Sequence, residues 1–282
     1  LKKRMGASGW STPLIHVVAP TVWAWGAWRT KSVARAVDRL LCLFPFEVDY
    51  FTPHGLDARF IGHPEAFNTK LMTRRGESSA EKRLLLLPGS RRSEIRRLLP
   101  VMRDAHALLS SDHQVAATVV TVPHQRHEVM AILGNDSRIN IVSGLDGFYQ
   151  QLHEADAMMA ASGTVTLQTA LAGLPGVACY RTSALSALIG RRLVRMDRVI
   201  LPNALLQREV YPFLFQQEAT QTALAAHIEN IFSGANESMA QSGAHEVARR
   251  NASELRALLQ GGRDNFDTLV AAALAPYFEL MR

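Results

Sequence analysis

Two short stretches place small residues and cations where an apolar run turns into a helix. The first, LLLLPGSRRSEIRRLLP (84–100), leads a strand-like run through Pro88, Gly89 and Ser90 into a helical pattern, with Arg91 and Arg92 in or beside the first turn. The second, AASGTVTLQTALA (160–172), does the same through Ala161, Ser162, Gly163 and Thr164. Glycine lets the backbone approach a ligand closely, and a helix start presents unpaired N–H groups and a positive dipole end. Each turn therefore suits an anion, and the two together suit a diphosphate. Cations at such an end are unexpected unless an anion neutralises them. The competing reading is that Glu94 pairs with one arginine while the other points to water, because strand–Gly-Ser–helix turns also arise for packing reasons. There is no GxxxxGK[ST] motif, and no GxGxxG follows a strand. His124 and His127 lie three residues apart with no cysteine or third ligand nearby, so a solvated helix start outweighs a metal pair and no metal is expected.

The elements that must position these turns alternate from Arg83 onward. The strand candidates are RLLLLP, VAATVVTV, RINIVSG, DAMMA and GVACY. Between them come a long helix interrupted by Pro100, a helix through HEVMAIL, a short one near GFYQQLHEA and the helix TVTLQTALA. Strands this continuously apolar belong to a parallel sheet with helices on both faces, whose ligands sit at the strands' carboxyl ends. Beyond Tyr180 the chain reads as mainly helical. Residues 1–65 supply three short strand candidates, LIHVVA, RLLCLF and ARFIG, too few for a self-sufficient core. With no initiating Met before Leu1, they are expected to be the tail of a larger domain. The polar stretch NTKLMTRRGESSAEKR (68–83) has no apolar period and reads as linker.

Composition bounds the rest. The chain has 282 residues, 48% hydrophobic and 20% charged, which suits a well-packed protein of about two domains. A formal charge of +6 and a pI near 9.7 point to an anionic partner: nucleic acid, a phosphorylated substrate or an acidic membrane surface. The arginines are scattered and no aromatic RNA platform or recognition helix stands out, so nucleic acid is not expected. Cys42 and Cys179 lie in apolar strand-like runs and read as buried thiols in a reducing compartment. The longest uncharged run, 157–180, is broken by Gly, Pro, Thr and Gln and is not a membrane span. Trp23, Trp25 and Trp28 suit either a membrane interface or core packing. Arg191, Arg192 and Arg195, after SALSALIG, suit an interfacial helix or an ordinary solvated face. In the last helices Leu269, Leu274 and Phe278 need a partner surface.

Taken in order, APTVWAW, FPFEVDYF leading to FIGHP, LPGSRRSEIRRLLP, ASGTVTLQTALAGLPGVACYR and LPNALLQREVYPFLFQ resemble the lipid-A-disaccharide synthase family over nearly the whole chain. The resemblance implies an α/β fold of the GT-B type: two Rossmann-like domains with parallel sheets, the first truncated here at its N-terminal side. Residues 1–68 would be the end of the acceptor-side domain, 69–265 the UDP-sugar domain, and 266–282 a helix packing back toward the first domain. The implied activity joins UDP-2,3-diacylglucosamine to 2,3-diacylglucosamine 1-phosphate (lipid X), with inversion and without metal or other cofactor. The implied setting is the cytoplasmic face of the inner membrane, against anionic lipid. Family members can exchange segments between subunits, and a homodimer is compatible with that.

Carried over residue by residue, the family's PGSR motif falls on Pro88, Gly89, Ser90 and Arg91, with Arg91 offsetting charge on the departing UDP. Its SGT turn falls on Ser162, Gly163 and Thr164, whose N–H and hydroxyl groups would meet UDP oxygens. Its LPN motif falls on Leu201, Pro202 and Asn203, with Asn203 as the functional amide, and Arg208 follows in the UDP-binding set. Three departures stand out. Gln168 replaces a Glu one turn from Thr164, so weaker donor binding is expected; Gln207 replaces a Gly; Phe213 replaces a Glu. The family's general base would lie upstream of Leu1, so the chain alone is expected to be inactive; His16, His63 and Glu65 are not promoted in its place. The rival readings are a UDP-N-acetylglucosamine 2-epimerase-like enzyme and a catalytically weak UDP-binding relative.

Overall fold

The computed structural model describes residues 12–23, 26–72, 81–112, 114–134, 136–183, 199–233, 243–263 and 265–279. Trp25, Arg191, Arg192 and Arg195, and the side chain of Phe278, lie outside the described residues. Along the chain run β1 (Ile15–Val17), α1 (Thr30–Ala34), β2 (Arg39–Cys42), α2 (Val48–Phe51), β3 (Asp57–Phe60), β4 (Lys82–Leu87), α3 (Arg92–Asp112), β5 (Val115–Thr121), α4 (Arg126–Leu133) and β6 (Ile139–Ser143). They are followed by α5 (Leu145–Glu154), β7 (Ala157–Ala161), α6 (Thr164–Leu171), β8 (Gly176–Tyr180), α7 (Leu201–Leu206), β9 (Phe213–Phe215), α8 (Gln221–Ser233), α9 (Ala244–Gln260) and α10 (Phe266–Glu279). The described residues form two compact units, one within 12–68 and 254–279, the other within 69–183 and 199–253.

The first unit holds the parallel sheet β1-β2-β3. Every residue of β2 is buried, because the pleat sends alternate side chains to opposite faces and both faces are covered. Leu40 and Cys42 pack with Val22, Phe51 and Leu56, whereas Leu41 packs with Ile61 and Ala273 of α10. Leu274 adds to that second cluster. Arg39 ties the same helix down: its guanidinium pairs with Asp57, donates to the Ala273 carbonyl and lies 4.6 Å over the Tyr277 ring. Trp23 is buried, its indole N–H donating to Glu47 at 3.1 Å with its ring edge-on to Phe44 and Phe46, so it is a packing residue. Trp28 is 69% exposed.

The second unit is a six-stranded parallel sheet in the order β6-β5-β4-β7-β8-β9. Renumbered from its own first strand this is 3-2-1-4-5-6, the Rossmann order, in which the winding direction reverses between β4 and β7. Its core joins Leu84 and Leu86, Ala157 and Met159, and Val177 and Cys179 to Ile95, Leu99 and Met102 of α3. Both cysteines are buried and free, and burial pushes each thiol up to about 12.

One sequence expectation is refined and one needs correction. Among the described residues the stretch after Tyr180 is mainly helical, in α7, α8, α9 and α10, but Phe213–Phe215 adds the strand β9, paired with β8 at Ala178 and Phe213. A three-residue strand is too short to show periodicity, and the sheet edge it extends is set by the fold. Pro100 does not interrupt α3, which runs unbroken through it. Proline removes one helical N–H bond, but Leu98, Leu99 and Met102 are buried on successive turns around it, and that packing holds the helix.

Candidate functional site

At the reversal between β4 and β7 a cleft of about 710 Å³ opens in the second unit. Its walls come from the ends of three strands and the turns beyond them: Leu87 and Gly89 to Arg91 after β4, Val120 to Pro123 after β5, and Ala161 to Val165 after β7. Gly144, Leu145 and Phe148, after β6, close one side, and Glu94 and Gln168 complete the lining. Seven residues singled out from the sequence meet here: Gly89, Ser90, Arg91, Ser162, Gly163, Thr164 and Gln168.

The two helix starts are satisfied differently. Gly89 has φ +101°, a left-handed backbone that glycine adopts without strain. It brings the chain round so that Glu94, in the first turn of α3, folds back on it. Glu94 Oε2 accepts the Arg91 N–H at 3.3 Å and Oε1 accepts Arg91 Nη1 at 2.8 Å. The carboxylate thus caps the helix and neutralises Arg91 at once. Arg92 bonds Glu128 on α4 at 2.8 Å, and Arg96 reaches the same carboxylate, which Arg96 first and Arg92 second hold below the usual range. The cations at this helix start are therefore paired, Arg91 within its own turn and Arg92 across to the next helix.

At α6 the helix opens at Gly163 with no side-chain cap. Ser162 is partly committed, because its N–H donates to the Cys179 carbonyl at 3.0 Å. That bond fixes the turn to β8, and leaves the Ser162 hydroxyl and the N–H groups at the head of α6 as the polar atoms for an anion.

Asn203 and Arg208 do not line this cleft. The Asn203 amide oxygen accepts the N–H groups of Val210 and Tyr211, each at 3.0 Å, and its NH₂ donates to the Tyr211 carbonyl at 2.8 Å. It clamps the turn leading into β9. Arg208, exposed, donates to Asn251 at 2.7 Å. Gln207 closes α7 in the left-handed region at φ +53°, which costs a side chain roughly 1 kcal/mol relative to glycine. His63 stacks on Phe44 at 5.3 Å and its Nδ1 accepts the Glu65 N–H, while burial lowers its pKa. His124 and His127 are exposed, and no cluster of three metal-type ligands occurs among the described residues.

The sequence reading missed the β5 wall. Thr121 is 5% exposed and its hydroxyl has no hydrogen-bond partner. Phe148 and Leu145 were equally unremarked. The available signal was positional, since VAATVVTV and RINIVSG end where the rule of strand carboxyl ends places ligands.

The family model for lipid-A-disaccharide synthetase matches residues 1–260. The chain belongs to the lipid-A-disaccharide synthase family. A relative from Rhodospirillum centenum is 36% identical over 260 residues, 88% of this chain and 65% of that protein, so the chain spans just under two thirds of that curated relative. Among solved structures, S. aureus MnaA in its co-structure with UDP superposes with a TM-score of 0.54 at 11% identity, over 91% of this chain and 70% of the other. The spinosyn rhamnosyltransferase SpnG with thymidine diphosphate gives 0.52 at 13% identity, over 91% and 72%. These likenesses show the fold, GT-B with two Rossmann-like parallel sheets. Among the described residues no helix is long and apolar enough to cross a membrane.

Proposed function

We propose that the cleft holds the diphosphate of UDP-2,3-diacylglucosamine, and that the protein transfers its sugar to lipid X in lipid A synthesis. One observation carries the reading: two Gly/Ser turns, at Gly89-Ser90 and Ser162-Gly163, meet in a single cleft at the reversal point of a Rossmann sheet. The α6 start offers uncapped N–H groups to one phosphate, and Arg91 offers a guanidinium to the other. In the reaction an acceptor hydroxyl oxygen attacks the donor's anomeric carbon with inversion. The bond to the diphosphate breaks, its electron pair leaves with UDP, and the hydroxyl proton passes to a base. Arg91 meets the charge gathering on UDP. Gln168, one turn into α6, faces the ribose hydroxyls with a neutral amide where a carboxylate would accept more strongly. Asn203 acts by holding the turn before β9, and Arg208 by fixing the same segment to Asn251.

The acylated substrates place the protein at a membrane, on the cytoplasmic face. Support comes from the net charge of +6 and from exposed Trp28 beside exposed Arg29, Lys31 and Arg35. The test is calorimetric titration with UDP and with uridine. UDP should bind at least tenfold more tightly than uridine, and Arg91→Ala should remove most of that difference. Equal binding of the two, or none of UDP at millimolar concentration, would sink the reading.

A further inference from the structure

The wall that would meet the diphosphate already contains an anion. The Glu94 side chain is only 10% exposed, and both of its oxygens are engaged by Arg91. It also presses on the turn, since a Cβ at Gly89 would lie 2.5 Å from Glu94 Oε2. The two attractions that this turn offers a phosphate, the guanidinium and a first-turn N–H, are both occupied by one internal carboxylate. The neighbouring cations are not substitutes, because Arg92 and Arg96 share Glu128. Arg91 itself is 78% exposed and its partner lies three residues on, in the first turn of the helix that Arg91 precedes, so the guanidinium can swing toward solvent without moving that helix.

We infer that Glu94 is a built-in competitor for Arg91: it holds the guanidinium at the cleft when no ligand is present and must yield it to the phosphate, which sets the affinity for the diphosphate. The inference rests on the nucleotide reading of the cleft. It makes Glu94 a positioning residue whose charge weakens retention of UDP, while its capping role keeps the turn formed.

Glu94→Gln separates the two roles. The amide keeps the volume and an oxygen that can cap the Arg91 N–H, as Gln does in capping boxes, but it gives up the ion pair. UDP affinity, measured by calorimetry, should rise about fivefold, the scale of an ion pair whose cation is exposed, with uridine affinity unchanged. In an Arg91→Ala background the same substitution should give no gain. Thermal unfolding checks that each variant is folded, and Glu94→Ala takes the place of the amide variant if that one is not. An unchanged or weaker UDP affinity in Glu94→Gln overturns the inference while leaving the nucleotide site intact. A gain that persists without Arg91 also overturns it, because the carboxylate would then be acting on the phosphate directly. If the unaltered protein binds no UDP, the site reading fails first and the inference with it.

Discussion

Gly89→Ala tests whether the first turn is built as described. At φ +101° an alanine is strained by roughly 1–3 kcal/mol. Its methyl would also lie 2.5 Å from Glu94 Oε2 and 2.9 Å from Glu94 Cβ. The carboxylate alone could swing away, but the Cβ cannot move without the first turn of α3. Displacing Glu94 then gives up its cap and its pairing with Arg91, worth together about 1 kcal/mol. The expected loss is about 2–4 kcal/mol in urea unfolding of the second unit. The double variant Gly89→Ala, Glu94→Ala relieves the collision, so it should be more stable than the two single losses summed, by about 1–2 kcal/mol. Strict additivity of the two losses would show that Glu94 does not lie against the turn.

Two further outcomes follow from buried polar groups. Burial pushes the Glu47 carboxyl up to about 7, against N–H bonds from Phe44, Trp23 and Leu43 that favour the ion. A raised acid pKa in the folded state makes stability greatest below about pH 4.5 and lower as pH rises to about 7. The stability of the unaltered protein relative to Glu47→Gln should therefore fall by roughly 2–3 kcal/mol between pH 5 and pH 8 in urea titrations; an equal difference at both pH values contradicts the assignment. Thr121→Val keeps the side chain's shape and deletes a hydroxyl that lacks a partner, so the urea midpoint should rise, by about 1 kcal/mol in stability; a fall would mean that the hydroxyl is bonded after all.

The Rossmann sheet of the second unit was legible because its strands are too apolar to sit half in water, and because its turns carry glycine where strand passes to helix. That local chemistry also identified Gly89, Ser90, Arg91, Ser162, Gly163 and Thr164, since strand ends of a parallel sheet converge without any further information. What the sequence could not show depends on contacts between distant segments. The β9 strand exists because β8 offers it an edge. The course of α3 through Pro100 depends on the core beneath it. The three bonds of Asn203 depend on the chain turning back at Gln207, a conformation a glutamine does not advertise. The pairing of Glu94 with Arg91 was foreseen as an alternative, but that its carboxylate would also press on Gly89 depends on a left-handed turn visible only in three dimensions.

Arginines in this chain separate by how easily they could change partners, and that distinction bears on which of them can do chemistry. Arg39 has a side chain 7% exposed, with donors spent on Asp57 and the Ala273 carbonyl and its face on Tyr277. Withdrawing it would strand a buried carbonyl and loosen α10, so it is structural. Arg92 and Arg96 bridge two helices through one carboxylate that is 13% exposed, and neither lines the cleft. Arg91 differs: it is 78% exposed and lines the cleft, and its partner Glu94, in the first turn of the helix that Arg91 precedes, still accepts the Arg91 N–H when the guanidinium turns away. A pair whose cation is exposed contributes on the order of 1 kcal/mol, small enough for the proposed diphosphate to displace and large enough to hold the guanidinium at the cleft in its absence.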